Sequence, residues 1–233
     1  MDEQDVRLME AIASTRVVRP PQQGLATFGS TSVRYYLVTD PSYRDLDAPQ
    51  DGHEESVVRE GVVRAERPRV VTPYYLLRHE GFGDNADRYL QRLAEEIGPD
   101  HPGLMYHYKN EGAETAVVSG TVEEVTRRIV ERLDKERKPL EAVITGSDDL
   151  WDLSLMKFIY EFTTQSAQTN VSEMRALGLL RTEGGVPMEA RLHIERMLEE
   201  ARSGQREPRD VHREIERWDL FDEYQDRFFA LFR

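Results

Sequence analysis

The feature that most constrains the fold is a segment from about Asp149 to Leu177 that reads as one helix with two unlike halves. Most residues from Leu150 to Phe162 are apolar, whereas residues 163–172 carry no charge and are mainly Thr, Gln, Ser and Asn. At 1.5 Å per residue such a helix is about 42 Å long. The first half predicts a core helix, and the uncharged half must lie against its own chain or against a partner.

Local signals mark both ends of this helix. Ser147 is the expected N-cap, because its hydroxyl can accept a hydrogen bond from an unpaired backbone N–H, and the acidic residues after it suit the positive end of the helix dipole. Gly178 predicts a Schellman ending, since glycine adopts a left-handed backbone at little cost. Ser154 and Lys157 begin a narrow polar stripe, so the apolar half is not expected to be buried on every side.

The chain before this helix is rich in β-forming sequence. Four of the six residues at 33–38 are β-branched or aromatic, which predicts a strand. The valine pairs at 57–58 and 62–63 flank Arg59-Glu60-Gly61. This pattern predicts a hairpin in which Gly61 has a positive φ.

A strand at 115–118, a helix opened by the capping box Thr121-x-x-Glu124, and a strand at 140–145 predict one β-α-β crossover. The fold class is therefore mixed α+β, with a β-rich N-terminal part, that crossover, the long central helix and a helical C-terminal third. We expect residues 1–180 to form a mixed α/β core domain. Residues 181–233 are then a helical extension packed on it, within one compact unit.

Composition narrows the classes of function. The 233 residues include no cysteine, which excludes disulfides, thiolate zinc sites and cysteine nucleophiles. The acidic N-terminus is unlike a secretory signal, and no apolar run approaches the roughly 20 residues of a membrane span, so a cytoplasmic protein with no membrane contact is expected. A net charge of −13 also works against nucleic-acid binding in general.

Three carboxylates, those of Asp148, Asp149 and Asp152, follow the predicted strand at 140–145, where ligands often bind in α/β sheets. Together with water they could hold Mg²⁺, the one cofactor that the sequence suggests. The alternative is that they only cap the helix and balance its dipole.

Two residues are candidates for catalysis. His107 is predicted on a strand, with Lys109 on the same face and Glu111 nearby, which could form an acid–base pair. Lys157 would have a lowered pKa if its stripe faced a cavity. The alternatives are a packed or surface histidine and an ordinary i, i+4 pair of Lys157 with Glu161.

Residues 59–78 carry an excess of arginine over acid and could contact a phosphate backbone or an acidic partner; the arginines are Arg59, Arg64, Arg67, Arg69 and Arg78. The alternative is a solvated strand face that pairs with the acidic loop at 40–55.

The last helix carries an aromatic stripe of Phe221, Tyr224, Phe228 and Phe232. It either packs on its own domain or forms the interface of a homodimer or of a protein partner.

Three hypotheses follow from these patterns. The first is a non-enzymatic regulatory or adaptor protein that acts through protein–protein contacts or self-association. The second is a Mg²⁺-assisted enzyme with carboxylates at the junction of the 140–145 strand and the long helix. The third is an RNA- or ribosome-associated protein that uses the arginine-rich hairpin.

Overall fold

A computed structural model describes residues 3–42, 54–78 and 84–232. The strands are β1 (Arg16–Arg19), β2 (Thr31–Thr39), β3 (Glu55–Ala65), β4 (Arg69–Val71), β5 (Gly103–Met105), β6 (Tyr108–Ser119), β7 (Glu141–Gly146), β8 (Thr182–Glu183) and β9 (Val186–Pro187). The helices are α1 (Glu3–Ser14), α2 (Pro73–Leu77), α3 (Asp84–Ile97), α4 (Val122–Lys135), α5 (Trp151–Ala176), α6 (Met188–Arg202), α7 (Pro208–Arg217) and α8 (Phe221–Phe229), followed by a 3-10 turn at Ala230–Phe232. The predicted mixed α+β class is confirmed.

The chain divides into two compact units. The first contains residues 1–67 and 106–170, and the second contains residues 68–105 and 171–233. The boundary expected from the sequence, between residues 180 and 181, lies inside the second unit, and the predicted domain division stays a prediction. Within the described ranges no helix is both long enough and apolar enough to cross a bilayer.

The first unit is built on a five-stranded sheet with the strand order β1-β7-β2-β3-β6. β2 is parallel to β7, and the other neighbouring pairs are antiparallel. β6 therefore runs parallel to β7 with two strands between them, and the chain passes from one to the other through α4. The predicted β-α-β crossover is thus confirmed, and so is the capping box that opens α4 at Thr121 and Glu124.

Helices cover both faces of this sheet. Successive residues of β2 point to opposite faces, as the period of a strand requires. On one face Tyr35 and Leu37 pack in a core with Phe158 and Phe162 of α5. On the other face Tyr36 and Val38 pack in a core with Val125 and Leu133 of α4.

The predicted hairpin at residues 57–63 is wrong. β3 is one continuous strand across this region, and Gly61 lies in its interior beside a β-bulge. A Cβ atom at Gly61 would stand 2.5 Å from both the Tyr35 hydroxyl and the Gly112 carbonyl oxygen. The glycine is required because the Tyr35 ring approaches the strand closely, and not because the chain turns there.

The long helix forms almost as predicted. Ser147 accepts a hydrogen bond from the Leu150 N–H at 3.4 Å, close to the start of α5. At its other end Gly178 has a φ of +71°, and the Leu179 N–H donates to the Met174 carbonyl at 2.9 Å, as in a Schellman motif. In the apolar half Leu155 and Phe158 are buried, whereas Met156 and Tyr160 are exposed.

The buried polar residues of the uncharged half contact their own chain. Asn170 is fully buried and donates to the Leu25 carbonyl and to the Thr27 hydroxyl, each at 2.8 Å. It also accepts a hydrogen bond from the Tyr106 hydroxyl at 2.8 Å. Ser166 accepts from the Leu25 N–H at 3.0 Å. Two polar side chains of α5 therefore hold the segment at residues 25–27. At these two positions the uncharged half of the helix lies against its own chain and not against a partner.

The second unit is mainly helical, as predicted for the C-terminal third. Its largest core contains Ile194, Leu198 and Ile215, joined by Val71 and Tyr75 from the earlier part of the chain. Glu214 is buried in this core, where it forms an ion pair with Arg69 and accepts hydrogen bonds from the Tyr75 hydroxyl and the Trp218 indole N–H, each at 3.1 Å. Several donors thus offset the cost of burying this charge.

Candidate functional site

The outer edge of β6 is one of the two edges of the five-stranded sheet. β6 is the last strand in the sheet order, and over the ranges that the structure describes no other strand pairs with its outer side. It is also the longest of the described strands, running from Tyr108 to Ser119. An unpaired edge presents N–H and C=O groups that can join a further strand.

The two halves of β6 differ in how they present this edge. The first half carries the charges of Lys109, Glu111 and Glu114, together with a bulge beside Gly112, all of which discourage strand pairing. Residues 115–119, with the sequence Thr-Ala-Val-Val-Ser, carry no charge and contain no proline or glycine. Val117 in this half is 54% exposed. The second half therefore lacks the usual protection of an edge strand.

A groove of about 500 Å³ lies beside this half, between the sheet and α4. Apolar side chains from both elements line it, namely Val58, Ala116, Val118, Val125 and Ile129. The polar lining is Tyr36, Glu60 and Ser119 together with Arg128 and Arg132. The groove is thus apolar, with two cationic side chains from the helix and one carboxylate, that of Glu60, from β3.

The arginines of the groove are held in place without a carboxylate. Arg128 donates to the Ser119 carbonyl at 2.7 Å, and the Arg132 guanidinium lies 5.3 Å from the centre of the Tyr36 ring. Neither arginine forms an ion pair with a described residue. Burial, followed by the charge of Glu141, raises the pKa of Tyr36 to about 12, so the ring stays neutral beside Arg132 at physiological pH. The carboxylate of Glu60 is paired with Arg34, so Arg128 and Arg132 can offer charge-assisted donors to an incoming anion.

The structure divides the five predicted arginines between the two units. In the first unit Arg59 forms an ion pair with Asp148 and Arg67 lies 5.6 Å from the centre of the Phe28 ring, while Arg64 is exposed. In the second unit Arg69 pairs with Glu214, and Arg78 lies 3.4 Å from Asp219 and donates to the Glu216 carbonyl. They do not form one basic hairpin. The expected partner loop at 40–55 falls largely outside the described residues.

Among the predicted metal ligands, only Asp148 is held by several partners. It accepts hydrogen bonds from the Thr39 hydroxyl at 2.9 Å, from the Ser42 N–H at 3.0 Å, and from Arg59. Burial alone would raise the pKa of Asp148, but the hydrogen bonds from Arg59, Ser42 and Thr39 outweigh it and lower the pKa below its usual value. The carboxylate is therefore stabilised by donors of its own chain.

The other two carboxylates are more exposed. Asp149 has a weak ion pair with Arg7 at 3.9 Å, and Asp152 accepts a hydrogen bond from the Leu153 N–H at 2.9 Å. In the part of the chain that the structure describes, no group of three His, Asp or Glu residues is arranged to hold a metal ion. Neither contact is a helix cap, and the Mg²⁺ site stays a prediction.

The two catalytic candidates have unrelated surroundings. His107 is exposed in the connection between β5 and β6, so its predicted place on a strand is wrong, and Lys109 lies 3.7 Å from Glu111. Lys157 donates to the carbonyls of Ile12 at 2.8 Å and Thr15 at 2.9 Å. It therefore caps the C-terminal end of α1, which explains its position on an otherwise apolar helix.

The aromatic stripe of the last helix divides between core and surface. Tyr224 and Phe228 are buried in the core of the second unit, and Phe221 packs against that core. Phe232 is exposed, as is Phe229 beside it. The stripe thus serves mainly to attach α8 to its own unit, and a partner interface at these residues stays a prediction.

The candidate site at β6 was not among the predicted sites. The sequence does show an uncharged run at 115–119 followed by a helix with arginines at 128 and 132, but that pattern alone does not reveal that the strand lies at an edge. No protein-family model, curated protein or solved structure matches this chain. Its own geometry is therefore the basis for a functional proposal.

Proposed function

We propose that this chain is a non-enzymatic adaptor or regulatory protein that binds an extended segment of a partner protein along β6. The observation that supports this most directly is the uncharged edge at residues 115–119, which pairs with no further described strand and lies beside a groove lined by two arginines. Main-chain hydrogen bonds to the edge would supply affinity, and pockets for alternate side chains would supply specificity.

The chemistry of the groove defines the partner segment. Ala116 and Val118 lie on the sheet face that α4 partly covers, so the side chains of an added strand on that face would extend the same apolar row. Arg128 and Arg132 would attract a carboxylate from the segment, because charge-assisted hydrogen bonds to guanidinium groups are strong and directional. The expected partner is an extended peptide with alternating apolar residues and at least one acidic residue.

The two alternative functions have less support. The arginines that the RNA hypothesis requires are split between two units, and Arg59 and Arg69 already have carboxylate partners. The enzyme hypothesis requires Asp148 as a metal ligand, yet Arg59 already balances its charge. These contacts favour the binding function over both.

A peptide library tests the proposal. Random nine-residue peptides are selected on the immobilised full chain, and the affinities of the enriched peptides are then measured by fluorescence anisotropy. We expect peptides with alternating apolar residues and an acidic residue. Val117→Lys should weaken their binding at least tenfold, or about 1.4 kcal/mol, because a lysine blocks the edge. Arg128→Glu with Arg132→Glu should change the preference to basic peptides.

Val18→Lys is the matched control, because Val18 is 48% exposed on β1, the opposite edge strand of the same sheet. It should leave binding within twofold of the wild type. The proposal fails if no peptides are enriched or if Val117→Lys and Val18→Lys have the same effect. It also fails if the chain forms a dimer that Val117→Lys dissociates, since the edge would then belong to a second copy of the chain.

A further inference from the structure

A second cavity lies in the second unit, where α5 ends. Its volume is about 490 Å³, within the range of sites that bind small molecules. Leu104, Val171 and Leu180 form its apolar lining, and each is partly buried. Leu104 and Leu180 also pack against a small core that includes Met174, so these apolar walls are anchored rather than loose.

Three side chains that can donate hydrogen bonds also line this cavity. Arg175 comes from the last turn of α5, Arg181 follows the Schellman turn, and His101 belongs to the segment after α3. No described residue forms an ion pair with Arg175 or Arg181. No carboxylate is among the residues that line the cavity, so the two guanidinium groups are its charged components.

The helix dipole explains the position of only one of the two arginines in this cavity. One cation in the last turn, such as Arg175, is favourable beside the negative end of a helix. Arg181 lies outside the helix, so the dipole does not account for its place beside Arg175 in the lining. An anion in this cavity could accept charge-assisted hydrogen bonds from both guanidinium groups.

We infer that this cavity binds a small amphiphilic anion, with an apolar body against Leu104, Val171 and Leu180 and a carboxylate or phosphate head between Arg175 and Arg181. The lining residues are compatible with either head group, since both carboxylate and phosphate accept bidentate hydrogen bonds from guanidinium groups. This site belongs to the second unit and is independent of the peptide edge of the first.

Calorimetric titration of the full chain tests the inference. The probes are octanoate and hexyl phosphate, which have a body and a charged head, together with acetate and 1-octanol, which each lack one part. We expect octanoate or hexyl phosphate to bind with a Kd well below 1 mM, at least about tenfold tighter than acetate or 1-octanol. Whichever of octanoate and hexyl phosphate binds more tightly identifies the preferred head group. Arg175→Gln with Arg181→Gln should weaken that binding about tenfold or more, because charge-assisted hydrogen bonds are lost.

Arg127→Gln with Arg209→Gln is the matched control, because both arginines are exposed and it removes the same charge elsewhere. It should leave the affinity unchanged, and thermal unfolding should confirm that both double variants fold. Val171→Asp should also abolish binding, since it places a carboxylate in the apolar wall. The inference is overturned if neither amphiphile binds below about 1 mM, or if the two double variants weaken binding equally.

Discussion

The polar contacts of Asn170 should make it one of the most sensitive positions of the first unit. Its side chain makes three hydrogen bonds of 2.8 Å, to Leu25, Thr27 and Tyr106, and it is fully buried. A net contribution of about 1 kcal/mol for each bond gives about 3 kcal/mol for Asn170→Ala. The partners left without Asn170 add to this cost, because the Leu25 carbonyl cannot easily reach water.

Urea unfolding provides the measurement. Of the two tryptophans, Trp151 lies in the first unit and Trp218 in the second, so fluorescence together with far-UV circular dichroism can show whether the units unfold in one transition. Gln168→Ala is the control, because Gln168 is exposed on the same helix, and its cost should stay within about 0.5 kcal/mol. A double-mutant cycle of Asn170→Ala with Tyr106→Phe should show a coupling of at least about 0.5 kcal/mol.

One result would refute this reasoning. If Asn170→Ala costs no more than Gln168→Ala, the segment at residues 25–27 is not held by α5 in the way the contacts indicate. The uncharged half of the helix would then have to be stabilised by something other than its own chain. A zero coupling between Asn170 and Tyr106 would instead show that the cost arises from lost packing and not from the hydrogen bond.

Two further predictions concern the sheet. Gly61→Ala should destabilise the first unit by about 1–3 kcal/mol in the same urea assay, because the new methyl would overlap the Tyr35 ring and the Gly112 carbonyl. Gly29→Ala is the control and should not destabilise it, because an added Cβ there meets nothing within 4 Å. Equal effects of the two substitutions would contradict a close approach of Tyr35 to Gly61. Asp148→Asn should destabilise the protein at neutral pH by more than it does in acid. Because the folded pKa of Asp148 lies below its unfolded value of 3.8, the stability it adds is present above that pH and is lost as the pH falls further. A difference between wild type and variant that does not shrink below pH 3.8 would show that Asp148 does not act through its charge.

Features that depend on neighbouring residues were predictable from the sequence. The capping box at Thr121 and Glu124 and the Schellman ending at Gly178 are both present, because each consists of hydrogen bonds within one turn of the chain. The crossover through α4 was also predictable, because strand and helix have different hydrophobic periods. In each case the residues of the element itself contain the pattern that predicts it.

Features that depend on distant residues were not predictable. Gly61 resembles a turn glycine in the sequence, and only its position opposite Tyr35 reveals that it allows a close approach. The extent of β6 was missed for the same reason: residues 108–119 form one strand because they pair with β3, more than forty positions earlier in the chain. The candidate edge follows from the strand order, which local patterns do not contain.

The division of the chain into units has a consequence for the order in which it folds during synthesis. The first unit has all its residues once residue 170 has been made, whereas Val71 and Tyr75 must wait for the core residues that follow position 171. Nascent domains fold as units from the N-terminal end. Residues 68–105 therefore cannot complete their core, and their apolar side chains stay exposed until Ile194, Ile215 and Trp218 have been synthesised. Truncation after residue 170 should for this reason yield an aggregation-prone fragment, and not a clean single domain.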